Sequence, residues 1–184
     1  ELEQAETLYR RCLQGREQAM GVDHPDTLST AYSLADVLSQ QERPAEAIPL
    51  RRRELAWCRE QNGDTDPGTL TSINDLAIDL RETGALEEAE VLFRELLATR
   101  QQVLDPSDSG IGRALGGLAK TLQETGKLEE AAAYRLKALD HRLEHFIQKQ
   151  RIAPPRVLRR KLNVGAQRFS KSNHLDRTSE HLRA

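Results

Sequence analysis

The sequence predicts an all-α solenoid of antiparallel helix pairs. Three observations carry this. The chain repeats itself at a spacing of 42 residues, each period holds two stretches of helical apolar spacing, and no stretch alternates as a strand would. At that shift Ala5, Ala47, Ala89 and Ala131 share one column. Leu13, Leu55, Leu97 and Leu139 share a second, and Leu8, Leu50, Leu92 and Tyr134 a third. A second block aligns Leu34 with Leu76 and Leu118, Ala35 with Ala77 and Ala119, and Leu38 with Leu80 and Leu122. Units of this size bury their apolar stripes only against their neighbours, so the columns mark helix-to-helix contacts.

The elements follow in order. A helix over 1–20 carries Ala5, Leu8 and Leu13 on one stripe. Helices over 26–41, 68–83 and 110–125 carry the Leu-Ala-x-x-Leu block, at i, i+1, i+4. Helices over 44–62, 86–104 and 128–151 repeat the stripe of the first. Gly84 and Gly126 stand in the tight turns within a pair, where glycine supplies a left-handed helix end. Pro25, Pro67 and Pro106 stand in the loops between pairs, each beside Asp, Ser or Thr that can cap the next helix. Proline is expected there to stop the preceding helix.

Hydrophobic residues make up 38% and charged residues 30%, a balance that supports a folded chain. Aromatics are only 4%, which argues against an aromatic-lined catalytic cleft. Cys12 and Cys58 are too few for a disulfide framework or a four-ligand zinc site and read as small packing residues. No apolar run approaches the length of a membrane span, and the first residues do not read as a signal peptide. A reducing, cytoplasmic setting is the simplest expectation.

Charge is unevenly placed. Residues 148–184 hold ten of the 27 basic residues and two of the 29 acidic ones, leaving the rest of the chain strongly acidic. A shift of 47 residues brings Ala166 onto Ala119, Phe169 onto Leu122 and Asn173 onto Gly126. The expected organisation is thus three and a half repeats over 1–152, then a degenerate basic helix pair over 153–184 that continues or caps the array. Its helices are expected at 156–170 and 174–184. Both array ends would show apolar stripes, which gives self-association a route and fits a fragment of a longer array.

The stretch Ala5-Glu6-Thr7-Leu8-Tyr9-Arg10-Arg11-Cys12-Leu13, followed by Gly21-Val22-Asp23-His24-Pro25-Asp26-Thr27-Leu28, resembles the tetratricopeptide repeat of the kinesin light chain type. Ile73-Asn74-Asp75-Leu76-Ala77 and Leu86-Glu87-Glu88-Ala89-Glu90-Val91-Leu92-Phe93 carry the same resemblance. It implies a right-handed superhelix whose first helices line a concave groove that takes a peptide or partner segment. It also implies a groove column at Tyr32, Asn74, Gly116 and Asn163, and a second at Asp36, Ile78, Lys120 and Gln167. Arg81 and Arg113 complete the candidate set. An Asn amide can match both the N–H and the C=O of a partner backbone, which suits Asn74 and Asn163. A terminal-carboxylate clamp is disfavoured, because Tyr32, Asp36 and Ile78 interrupt the cation pattern around Arg113 and Lys120.

Other motifs carry less. His141-Arg142-Leu143-Glu144-His145 has the spacing of a metallopeptidase motif, but no further ligand accompanies it and an exposed polar face is the expected account. Glu87-Glu88 and Glu129-Glu130 open helices, where they complement the helix dipole. Gly116 and Gly117 weaken their helix; a soft helix held by its neighbours is expected. Arg51-Arg52-Arg53 lies among acidic residues, and Arg156, Arg159, Arg160 and Lys161 lack interleaved aromatics, so nucleic acid is disfavoured as a partner. No phosphate loop, nucleophile elbow or paired-carboxylate constellation in a plausible cleft is found, so no catalytic residue, metal, cofactor or small-molecule substrate is assigned. The expected function is a non-enzymatic scaffold for a protein or peptide partner. The alternatives are a regulatory or sensor segment contacting other domains of its own protein, and polyanion binding through residues 149–171.

Overall fold

The computed structural model describes residues 1–149, and these form seven helices in chain order. They are α1 (Leu2–Met20), α2 (Pro25–Gln40), α3 (Pro44–Asn62), α4 (Pro67–Glu82), α5 (Leu86–Val103), α6 (Ser109–Glu124) and α7 (Leu128–Lys149). A compact unit spans Glu1–Leu143. Within it each helix from α1 to α5 packs on the next in sequence, and α4 also touches α6. The helix pair expected at 156–184, with Asn163 and the basic cluster, lies outside the described residues. Among the described residues no helix is long and apolar enough to cross a membrane.

The loops between pairs work slightly differently from the expectation. Pro25 and Pro67 do not end a helix; they open α2 and α4 at the first position, where the missing N–H costs nothing. The cap precedes them. The backbone N–H groups of Gly68 and Thr69 donate to Asp66, that of Gly110 to Asp108, and that of Asp26 to His24 Nδ1. The one-residue offsets from the expected boundaries follow from this placement.

The turns inside the pairs are three copies of one motif. The N–H groups of Arg43, Ala85 and Lys127 donate to the carbonyls of Leu38, Leu80 and Leu122 at 3.0, 2.8 and 2.9 Å. That bond requires a left-handed residue just before it. Gly84 and Gly126 supply it, and in the first copy Glu42 does, at φ 60°. A side chain there strains the backbone. Glu42→Gly is therefore expected to raise stability by about 1 kcal/mol, read from the urea unfolding midpoint.

The alanine column is the closest point of contact: Ala47 and Ala89 are fully covered and Ala131 nearly so. Leu13, Leu55 and Leu97 are buried, whereas Leu139 in the same column is 52% exposed. Leu8 is 63% exposed, whereas Leu92 in the same column is buried. The core falls into two clusters. One joins Leu13, Leu34, Leu38 and Ala47 with Tyr9 and Leu50; the other runs from Leu55 through α4, α5 and α6 to Ala138.

Candidate binding groove

The second helices of the pairs (α1, α3, α5, α7) use their charges on one another. Arg10 pairs with Glu46 at 2.8 Å, Arg52 with Glu88 at 2.6 Å, and Arg94 with Glu130 at 2.7 Å. Each member stands 42 residues from its counterpart in the next rung. A parallel rail pairs Glu17 with Arg53 at 2.8 Å, and then Arg59 with Glu95, with the signs exchanged. A third pairs Glu6 with Arg43 and Glu90 with Lys127, both at 2.8 Å. Its middle rung is Ile48 and Ala85, which pack against the core instead. Exposed pairs of this kind add up to about 1 kcal/mol each. Their effect is to occupy these side chains inside the array.

The first helices α2, α4 and α6 carry the predicted groove, and the structure divides its residues into three groups. Tyr32, Asp36 and Asn74 are the half-buried members of one polar node. At its centre is Arg51 of α3, whose side chain is 5% exposed. It donates to Asp36 of α2 at 2.8 Å and to Asp79 of α4 at 2.5 Å, and lies 3.6 Å from Asp75. The Tyr32 hydroxyl donates to Asp75 at 3.0 Å, the Asn74 amide to Asp75 at 3.1 Å, and Ser39 to Asp79 at 2.9 Å. Arg51 also sits 5.4 Å from the centre of the Tyr32 ring, within cation–π range.

The electrostatics follow the burial. Burial works against the Arg51 charge, but Asp36, Asp79 and Asp75 outweigh it and hold its pKa above the ordinary value. Burial dominates at Asp79, which is pushed above the usual carboxylate range despite Arg51 and Ser39. Burial and the neighbouring Asp75 push the Tyr32 hydroxyl up to about 12. Asn74 was expected to meet a partner backbone; its amide instead has one donor committed to Asp75.

Arg81 forms the second group. Its side chain is only 9% exposed, and it donates to Glu124 and Glu82 at 3.2 and 3.3 Å, tying α4 to α6. It is a brace rather than a free groove cation. Arg113 and Lys120 form the third group. Both are exposed on α6, two turns apart, with no ion pair among the described residues. Between them Gly116 faces open space: a side chain there would meet nothing within 4 Å. Near Arg113, Arg100 is buried, and it donates to the carbonyls of Gly110 and Leu70 rather than to a carboxylate. Burial and the neighbouring Arg113 lower its pKa.

Several sequence readings need correction. Gly117 is no mere soft spot: a Cβ there would lie 2.4 Å from Phe93 Cε1, so the glycine makes room for the aromatic ring. His141 is buried against Gly112, not exposed, because Gly112 lets its ring approach α6. Cys12 is exposed, since it lies on α1 away from α2; Cys58 is buried as expected. Burial and the carboxylate of Glu54 push the Cys58 thiol up to about 12. Among the described residues no group of three or more His, Cys, Asp or Glu could hold a metal ion.

Sequence reasoning passed over Arg51, Asp75 and Asp79. The signal for them was present in the columns. Arg51 stands where the next repeat has Phe93, Asp75 where it has Gly117, Asp79 where it has Thr121, and Asp36 where it has Ile78. One joint is filled by a buried ion-pair cluster and the next by an aromatic plug with a glycine opposite.

Helices packed in sequence, with the same alanine and leucine columns recurring along the chain, define a helix-pair repeat solenoid. The tetratricopeptide repeat model matches residues 1–53 and 30–102, and the chain belongs to that family. No curated protein matches it. Among solved structures it is similar to a Podosopora anserina kinesin light chain with nearly identical TPR-like repeats, at TM-score 0.70 and 20% identity. That match covers 82% of this chain and 69% of the other. A second structure of that description matches at TM-score 0.68 and 21% identity, with the same coverage. BtubC (BKLC) from P. vanneervenii matches at TM-score 0.70 and 17% identity, over 84% of this chain and 59% of the other. Likeness at these identities is a likeness of fold, and it bears out the all-α superhelical repeat architecture.

Proposed function

We propose that the chain is a non-enzymatic scaffold that holds an extended partner segment along the face of α2, α4 and α6. Tetratricopeptide repeats are in general protein-interaction modules, and the finer reading rests on one observation about this chain. Most arginines among the described residues are tied to carboxylates or buried on carbonyls, yet Arg113 and Lys120 stand exposed there with no ion pair, with an open notch at Gly116 between them. A preformed surface of this kind spares the partner the cost of ordering the scaffold. Tyr32, Asp36 and Asn74 would form the opposite wall, their positions held by Arg51; Asn163 would extend the groove.

Peptide-display selection on the 184-residue chain tests the reading. Enriched peptides are expected to lose about tenfold or more in affinity, roughly 1.4 kcal/mol, when Arg113 and Lys120 are both changed to Ala. The unfolding midpoint should stay unchanged, because neither side chain is used in the fold. Absence of enrichment by a folded protein, or enriched peptides indifferent to the change, would count against the groove.

A further inference from the structure

We propose that the array is hinged at the joint of α2, α3 and α4, so that α1, α2 and the start of α3 move as one body against α4–α6. Three features of different kinds meet there. The core divides at α3: Ala47 and Leu50 belong to the first cluster and Leu55 to the second, with the partly buried Ile48 leaning on the second. Arg51 lies between those two leucines and fills the joint with charge instead of apolar surface. Pro49 lies in the interior of α3 and has no N–H to give the carbonyl of Ala45 four residues back.

The following joint lacks the division and the interior proline, and the charge buried in it, Arg100, is a single cation on two carbonyls rather than an ion-pair cluster. Its core runs without a break through Phe93, and Val91 occupies the column of Pro49. An apolar joint loses its burial when it parts. A joint of ionised groups returns them to water, and their rehydration offsets the lost contacts. Replacing a buried charge cluster by apolar residues of similar volume is often neutral or favourable, by up to about 1000-fold in an equilibrium constant. The joint of Arg51 is therefore the one that opens, whether or not the neighbouring face binds a partner. Opening draws Tyr32 and Asp36 away from Asp75 and Asp79, which widens the face between α2 and α4.

Amide hydrogen exchange of the full chain, followed by mass spectrometry, tests this. Peptides from α2 and from residues 44–50 should share one exchange rate, at least tenfold faster than peptides from α4. The change of rate should fall inside α3. Fraying from the end of the array would instead give a graded loss from α1 inward with no step in α3. Two variants copy this chain's own next joint. One is Pro49→Val; the other combines Arg51→Phe, Asp36→Ile, Asp75→Gly and Asp79→Thr. Each should slow exchange in α2 toward that of α4, by about 5- to 1000-fold for the four-residue change. A wild-type chain without the step in α3, or folded variants whose α2 exchanges as fast as before, would overturn the hinge. If the four-residue variant does not fold, Pro49→Val alone decides between these outcomes.

Discussion

Arg51→Ala is expected to destabilise the chain by about 3–5 kcal/mol. The reason is what it leaves behind. Asp79 has a side chain only 2% exposed and would keep its charge with Ser39 as its remaining hydrogen-bond donor. Asp36 would lose its ion pair, and Asp75 would hold only Tyr32 and Asn74. The pH dependence has a definite sign. The pKa of Asp79 is already raised in the folded chain, so the folded state binds its proton more tightly than the unfolded state does. Stability from this group therefore falls as pH rises through the folded pKa and returns on acidification. Without Arg51 the pKa rises further, so the variant should recover part of its loss when the pH is lowered from 8 toward 5. Urea unfolding of both proteins across that range measures the effect. A variant equally destabilised at every pH would place the loss in packing rather than in the stranded carboxylates. Arg51→Lys should recover little, because an ammonium cannot span Asp36 and Asp79 with a planar fork.

The repeat columns made the helices, turns and alanine contacts legible, because those positions do one job in every repeat. Leu34, Leu76 and Leu118 meet the same surroundings each time, and identical surroundings select identical residues. The polar node escaped for the opposite reason. Its column holds Tyr9, Arg51 and Phe93, and residues that unlike cannot be recognised as one position until their neighbours are known. Arg51 also stands first in a run of three arginines that reads as a solvated patch. The run in fact faces three ways: Arg51 inward, Arg52 to Glu88 and Arg53 to Glu17. The ion-pair rails were legible in principle, since Arg10, Arg52 and Arg94 recur in step with Glu46, Glu88 and Glu130. Such recurrence was open to the simpler account of helix-dipole complementation at Glu88 and Glu130. Of the groove candidates, Arg113 and Lys120 keep their exposure, since no carboxylate among the described residues pairs with them. Arg81 lost it because Glu124 stands one repeat on.

Phe93→Ala is expected to cost about 3–5 kcal/mol, and its partner across the joint should show why. The ring is almost wholly buried among α4, α5 and α6 and is the largest fully buried side chain among the described residues. It fits because Gly117 has no side chain. In the middle of a helix, glycine is worse than alanine by about 1 kcal/mol, so Gly117→Ala should stabilise α6 if the helix alone mattered. In the native chain it should instead destabilise, because the added methyl would overlap the ring and force Phe93 off its rotamer. With Phe93 already changed to Ala, the same Gly117→Ala substitution should become stabilising, since the methyl then enters vacated space and the helix gains its propensity. The sign reversal is the decisive quantity. A double-mutant cycle on unfolding free energies should give a coupling of about 1–3 kcal/mol. A coupling near zero would mean that the ring and the glycine are independent, and that the aromatic plug is not what selects glycine at this joint.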